Sequence, residues 1–122
     1  KEAVQDALTN IGQVAVEYIV KCIEGAEKIG DPHEYLMISL SEIGKNKKSN
    51  RIYRCLKNAF LGMDNKIYGV ICLGVYGDGR AIPTLRGYAE KNIDSIDKDL
   101  FYEIKSAIKR LGGNMDDVVL MR

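Results

Sequence analysis

Tryptophan is absent from this chain, histidine occurs once and proline twice. Cysteine occurs three times, as Cys22, Cys55 and Cys72, and no two of them have C-x-x-C spacing. An odd count without that spacing excludes a disulfide framework and a zinc knuckle. What is left is three small apolar side chains in a reducing, cytoplasmic setting. His33 stands beside Glu34, just after Asp31-Pro32, with no partner at metal-ligand or acid–base spacing. It therefore reads as a residue of a helix start, and neither metal nor cofactor is expected. No run of roughly 18 or more apolar residues is present, so nothing in the sequence reads as a membrane span. No basic start followed by an apolar middle marks a secretory signal. The net charge of +1 excludes a bulk electrostatic signature of nucleic-acid binding. No G-x-S-x-G, P-loop or H-E-x-x-H motif occurs. Period-2 alternation is also missing, so no strand competes with a helical reading.

What the sequence does contain is an internal repeat. A small residue, an aliphatic, two free positions, an apolar residue and Gly recur four times. The copies are Ala7-Leu8-Thr9-Asn10-Ile11-Gly12, Ser39-Leu40-Ser41-Glu42-Ile43-Gly44, Cys72-Leu73-Gly74-Val75-Tyr76-Gly77 and Ala107-Ile108-Lys109-Arg110-Leu111-Gly112. Successive aliphatic positions lie 32, 33 and 35 residues apart. The apolar positions at i, i+1 and i+4 share one helical face, and the Gly is placed to end the helix in a left-handed turn. Each copy is thus expected to close a first helix and pass the chain to a second. Apolar triplets at spacings of three or four mark the second helices. They are Val16, Ile19 and Ile23, then Ile52, Leu56 and Phe60, then Ile82, Leu85 and Ala89. A fourth second helix is expected to start near Met115. Expected N-caps are Asp31 (followed by Pro32), Asp64 and Asp97 for the first helices, and Ser49 or Asn50 and Asp78 for the second helices. Pro83 falls in the first turn after Asp78, where a missing N–H costs little. The expected repeats are approximately 1–30, 31–62, 63–94 and 95–122, in a single domain. Leu8, Leu40, Leu73 and Ile108 are expected to share a continuous core.

The segment Leu73-Gly74-Val75-Tyr76-Gly77-Asp78-Gly79-Arg80-Ala81-Ile82-Pro83-Thr84-Leu85 resembles the core of a short HEAT-like repeat, the type named after phycobilisome lyases. Gly79 stands where that pattern commonly has Pro. The first two copies lack the Asp-x-Arg-Ala-x-Pro segment, and the second has a longer turn from Lys45 to Asn50. The resemblance implies an all-α fold, a right-handed α-solenoid of about four helical hairpins. It also implies that the second helices line the concave surface. It does not imply lyase activity.

On that surface the candidate partner-binding residues are Lys21, Arg51, Tyr53, Arg54, Lys57, Arg80 and Arg86. From Lys45 to Lys57 there are six basic residues and no acid, whereas Asp94, Asp97, Asp99, Glu103, Asp116 and Asp117 cluster late. Tyr53 between Arg51 and Arg54 has the composition of a recognition hot spot. Tyr35 and Tyr68 hold equivalent repeat positions and are expected to pack. The leading expectation is a protein-interaction scaffold that binds an extended or acidic protein segment. The alternatives are a nucleic-acid-binding protein of the alkylated-base glycosylase kind, which the missing tryptophan disfavours, or a lyase-like accessory subunit. No catalytic constellation is visible, so a non-enzymatic role is favoured. The chain starts at Lys1 and stops at Arg122 in a stretch that reads as helical, so it is expected to be part of a longer one. The apolar run Val118-Val119-Leu120-Met121 is expected to pack on a further segment or on a second copy.

Overall fold

A computed structural model of the chain describes the backbone of residues 2–121 and the side chains of residues 12–121. Among the described residues every regular element is a helix: α1 (Glu2–Glu24), α2 (Asp31–Gly44), α3 (Asn50–Gly62), α4 (Ile67–Tyr76), α5 (Ala81–Lys91) and α6 (Lys98–Arg110). No described helix is long and apolar enough to cross a membrane.

Local chemistry accounts for most helix starts. The Ser49 hydroxyl accepts the Ile52 N–H at 3.2 Å and opens α3. The Asp97 carboxylate accepts the N–H groups of Asp99 and Leu100 and opens α6. Each satisfies a donor that the first turn of a helix leaves unpaired. Asp78 accepts the Arg80 N–H at 3.0 Å, and α5 begins one residue later with Pro83 in its first turn. Two expected caps move. The N-cap of α2 is Gly30, whose N–H is accepted by Nδ1 of His33 at 2.9 Å; Asp31 is the first helical residue, an acid at the positive end of the helix dipole. His33 is therefore part of a helix start, as its neighbours in the sequence indicate. Asp64 does not cap α4. Its carboxylate pairs with Lys28 at 2.8 Å, and α4 begins after Lys66.

The four signature glycines turn out unlike one another. Gly77 and Gly112 have φ of 81° and 99°, and Gly77 ends α4 with its N–H on the Leu73 carbonyl at 3.2 Å. This is the left-handed helix end that the pattern predicts. Gly44 stays inside α2 as its last residue, and the cap after it, Lys45, is right-handed. What requires glycine there is close approach: a Cβ would stand 2.9 Å from the Ile52 side chain and 3.0 Å from the Tyr76 ring. Gly12 does not end a helix at all, because α1 runs unbroken through it for 23 residues. The first expected hairpin is one long helix. The reason lies in the residues after the glycine. Gln13-Val14-Ala15-Val16-Glu17 contains no capping residue and no proline, and one glycine costs a helix only about 1 kcal/mol. The fourth hairpin is also incomplete, since residues 111–121 form no helix. Val118 and Val119 are β-branched and the segment is too short to repay helix nucleation. Met115 is buried and anchors this segment, with Val118 and Leu120 packed against the core.

Helix α2 packs on α1, α3 and α4, and α4 packs on α2, α3, α5 and α6. Thus α2, α4 and α6 succeed one another, with α3 and α5 laid against them. The predicted core positions Leu40, Leu73 and Ile108 are buried together with Ile19, Ile23, Ile52, Leu56, Phe60, Leu85 and Ala89. Val16 and Ile82 are half-buried, and the Leu8 side chain lies outside the described residues. Two buried tyrosines tie hairpins together. The Tyr76 hydroxyl accepts the Ser49 N–H at 2.7 Å and donates to the Ser49 carbonyl at 3.1 Å. The Tyr53 hydroxyl donates to the Arg80 carbonyl at 3.0 Å and meets the Thr84 hydroxyl at 3.0 Å. A tyrosine from a neighbouring helix therefore holds the start of both α3 and α5.

Candidate functional site

The exposed face of α3 arises from its helical period. Its core side carries Ile52, Cys55, Leu56, Ala59 and Phe60. Positions 51, 54 and 58 fall on the opposite stripe, at i, i+3 and i+7, with 57 beside them. Arg51, Arg54 and Asn58 are exposed there and Lys57 is half-exposed.

The seven candidate residues divide by partner. The Arg51 guanidinium grips the Glu17 carboxylate of α1 with bonds of 3.0 and 2.6 Å and lies 3.7 Å from Glu24. Those hydrogen bonds hold the Glu17 carboxyl below its ordinary range. Arg80 forks onto Asp78, reaches Asn50 of the preceding hairpin, and lies 4.5 Å over the Tyr53 ring. Its hydrogen bonds lower the Asp78 carboxyl. Arg86 pairs with Glu90 at 2.9 Å and with both oxygens of Asp117, which it holds in the ionised form. Tyr53 is only 7% exposed, so it is a core ring and not part of an open face. Lys21 is exposed on α1 and within electrostatic reach of Glu17. Arg54 and Lys57 have no ion pair among the described residues. The α2–α3 turn adds Lys47, also without one. Lys45 pairs with Glu42 at 2.9 Å, and the Lys48 ammonium donates to the Lys45 carbonyl at 2.9 Å. The basic segment is thus partly neutralised, and its remaining charge is concentrated on Lys47, Lys48, Arg54 and Lys57.

Two features of the surface were not apparent in the sequence. One is a groove of about 440 Å³ between α1, the end of α2 and the start of α3, lined by Gly12, Val16, Ile43, Gly44 and Ile52 and edged by Lys47, Lys48 and Arg51. The only signal for it was the pair Gly12 and Gly44, whose absent side chains lower its floor. The other is a set of uncovered tyrosines. Tyr35 is 78% exposed and Tyr68 is 38% exposed, so the packing expected of both is not found. Tyr18 and Tyr102 are exposed as well.

All three cysteines are free. Burial pushes the Cys55 thiol up to about 12 and Cys72 to about 11, which removes thiolate chemistry at neutral pH. Cys22 is half-buried. Among the described residues no group of His, Cys, Asp and Glu is arranged to hold a metal ion. Compared with family models, curated proteins and solved structures, the chain matches none.

Proposed function

We propose that this chain is a short HEAT-like α-solenoid, a protein-interaction scaffold whose α3 face binds an extended acidic segment of a partner. The observation that carries this reading is the division among its cations. Arg51, Arg80 and Arg86 are each held by carboxylates of the chain itself, whereas Arg54 and Lys57 stand on the outer stripe of α3 with no acid assigned to them. Charges left unpaired on a face flanked by paired ones are available to an outside anion at little cost in broken contacts. The succession of α2, α4 and α6, with α3 and α5 laid against it, supports a solenoid of two complete hairpins flanked by α1 and α6. The three free cysteines support a reducing compartment.

Calorimetry with an acidic peptide at low and high salt tests the proposal. Binding is expected to weaken with salt and to be lost in the double variant Arg54→Glu, Lys57→Glu, with the fold unchanged. Binding that ignores the double variant removes the face from α3. Equal or stronger binding of single- or double-stranded DNA in a gel-shift titration would replace the protein partner by a nucleic acid.

A further inference from the structure

We propose that the groove between α1, the end of α2 and the start of α3 is an anchor pocket for one bulky apolar side chain of that acidic segment. This rests on the reading of the α3 face as the binding face and specifies what the partner must carry.

The groove combines two chemistries. Its floor is apolar: Val16, Ile43 and Ile52, with Gly12 and Gly44 between them. Ile43 is 42% exposed, with no other part of the described chain laid over it. A Cβ at Gly12 would meet nothing within 4 Å among the described residues, so that wall stands open. Its edge is cationic. The Arg51 charge is answered by Glu17, which also lines the groove, and by Glu24. Lys47 has no such answer, and Lys48 has only a backbone carbonyl. A purely apolar ligand would leave both lysines without a counter-charge. A simple anion would leave the apolar floor wet. A segment with one large apolar side chain between carboxylates satisfies both. The spacing suits it. Arg54 comes after Arg51 along the same stripe of α3, about 4.5 Å further on at 1.5 Å per residue. An extended chain advances about 3.3 Å per residue. Acids one or two residues to either side of the anchor therefore reach Lys47 and Lys48 in one direction and Arg54 in the other.

The experiment uses fluorescein-labelled oligoglutamate peptides that differ at one central position, leucine or alanine, and reads fluorescence anisotropy. Burial of the leucine side chain is expected to make that peptide bind about tenfold tighter or more. Gly12→Leu, which fills the groove from a helical position with room for a side chain, is expected to abolish the leucine preference and leave the salt-sensitive affinity of the alanine peptide intact. Ile43→Asp, at an exposed site, is expected to do the same, so a folding defect in one variant does not decide the matter. Equal affinity of the two peptides for the unaltered protein overturns the anchor pocket while leaving the acidic-segment reading in place. Binding of neither peptide overturns both. Two further outcomes also overturn the pocket's assignment: decanoate displacing the leucine peptide at matched concentration, which makes it a small-molecule site, and self-association in sedimentation that Gly12→Leu abolishes, which makes the occupant a second copy.

Discussion

Helix α1 and the α4–α5 hairpin contain the same glycine-ended signature and use it in opposite ways. At Gly77 the chain turns left-handed, Asp78 and Arg80 clasp each other in the turn, and a new helix starts at Ala81. At Gly12 the chain continues as helix for twelve more residues, to Glu24. The signature glycine is common to both, so it cannot be what makes the turn. The difference is the next residue: Asp78 supplies a cap for the following helix, whereas Gln13 supplies none. A glycine permits a helix to end, and a competing start signal makes it end.

The comparison can be broken first at the core. Leu73→Ala is expected to cost ~2–5 kcal/mol, because Leu73 is fully buried where α4 meets its neighbours. A loss below about 1 kcal/mol in thermal or urea unfolding would show that α4 does not knit the stack together. The two glycines give the sharper contrast, since their alanine variants should move stability in opposite directions. Gly77→Ala is expected to destabilise by roughly 1–2 kcal/mol, the cost of a left-handed residue with a Cβ. Gly12→Ala is expected to stabilise by up to about 1 kcal/mol, because the site is helical and has room. Shifts of the same sign would mean that the two glycines are equivalent after all. The smallest effect concerns pH. The Arg80 hydrogen bonds hold the Asp78 carboxyl below its ordinary value of 3.8. A depressed acid contributes stability above that value and loses it as pH falls through the folded-state value. Asp78→Asn is therefore expected to flatten the loss of stability below about pH 4, and circular dichroism melts across that range would detect it. An unchanged acid limb would mean that the Asp78–Arg80 clasp does not stabilise the turn.

Much of the helical scaffold was readable from the sequence because its signals are local. Ser49 and Asp97 cap helices through bonds spanning two or three residues, and the core triplets of α3 and α5 recur at the helical period. The candidate site was less readable because its decisive contacts span the chain. Arg51 meets Glu17 across 34 positions, Arg80 meets Asn50 across 30 and Arg86 meets Asp117 across 31. Nothing in the run from Lys45 to Lys57 distinguishes the cation that will be neutralised from the one that will not. Tyr53 has the sequence setting of a recognition residue between two arginines, yet its ring faces the core. Tyr35 has the setting of a packing residue, yet it is open to solvent.

The amino-acid sequence by itself determined that this protein is helical, where α2, α3, α5 and α6 run to within a residue or two, and which apolar faces they bury. Those properties depend on periodicity and capping, which act over a few residues. Tertiary structure alone decided why Gly44 has to lack a side chain, which basic side chains remain unpaired, and that an apolar groove opens beside Lys47 and Lys48. Each of these depends on which distant carboxylate or side chain arrives at a given surface, and that is set by packing between helices.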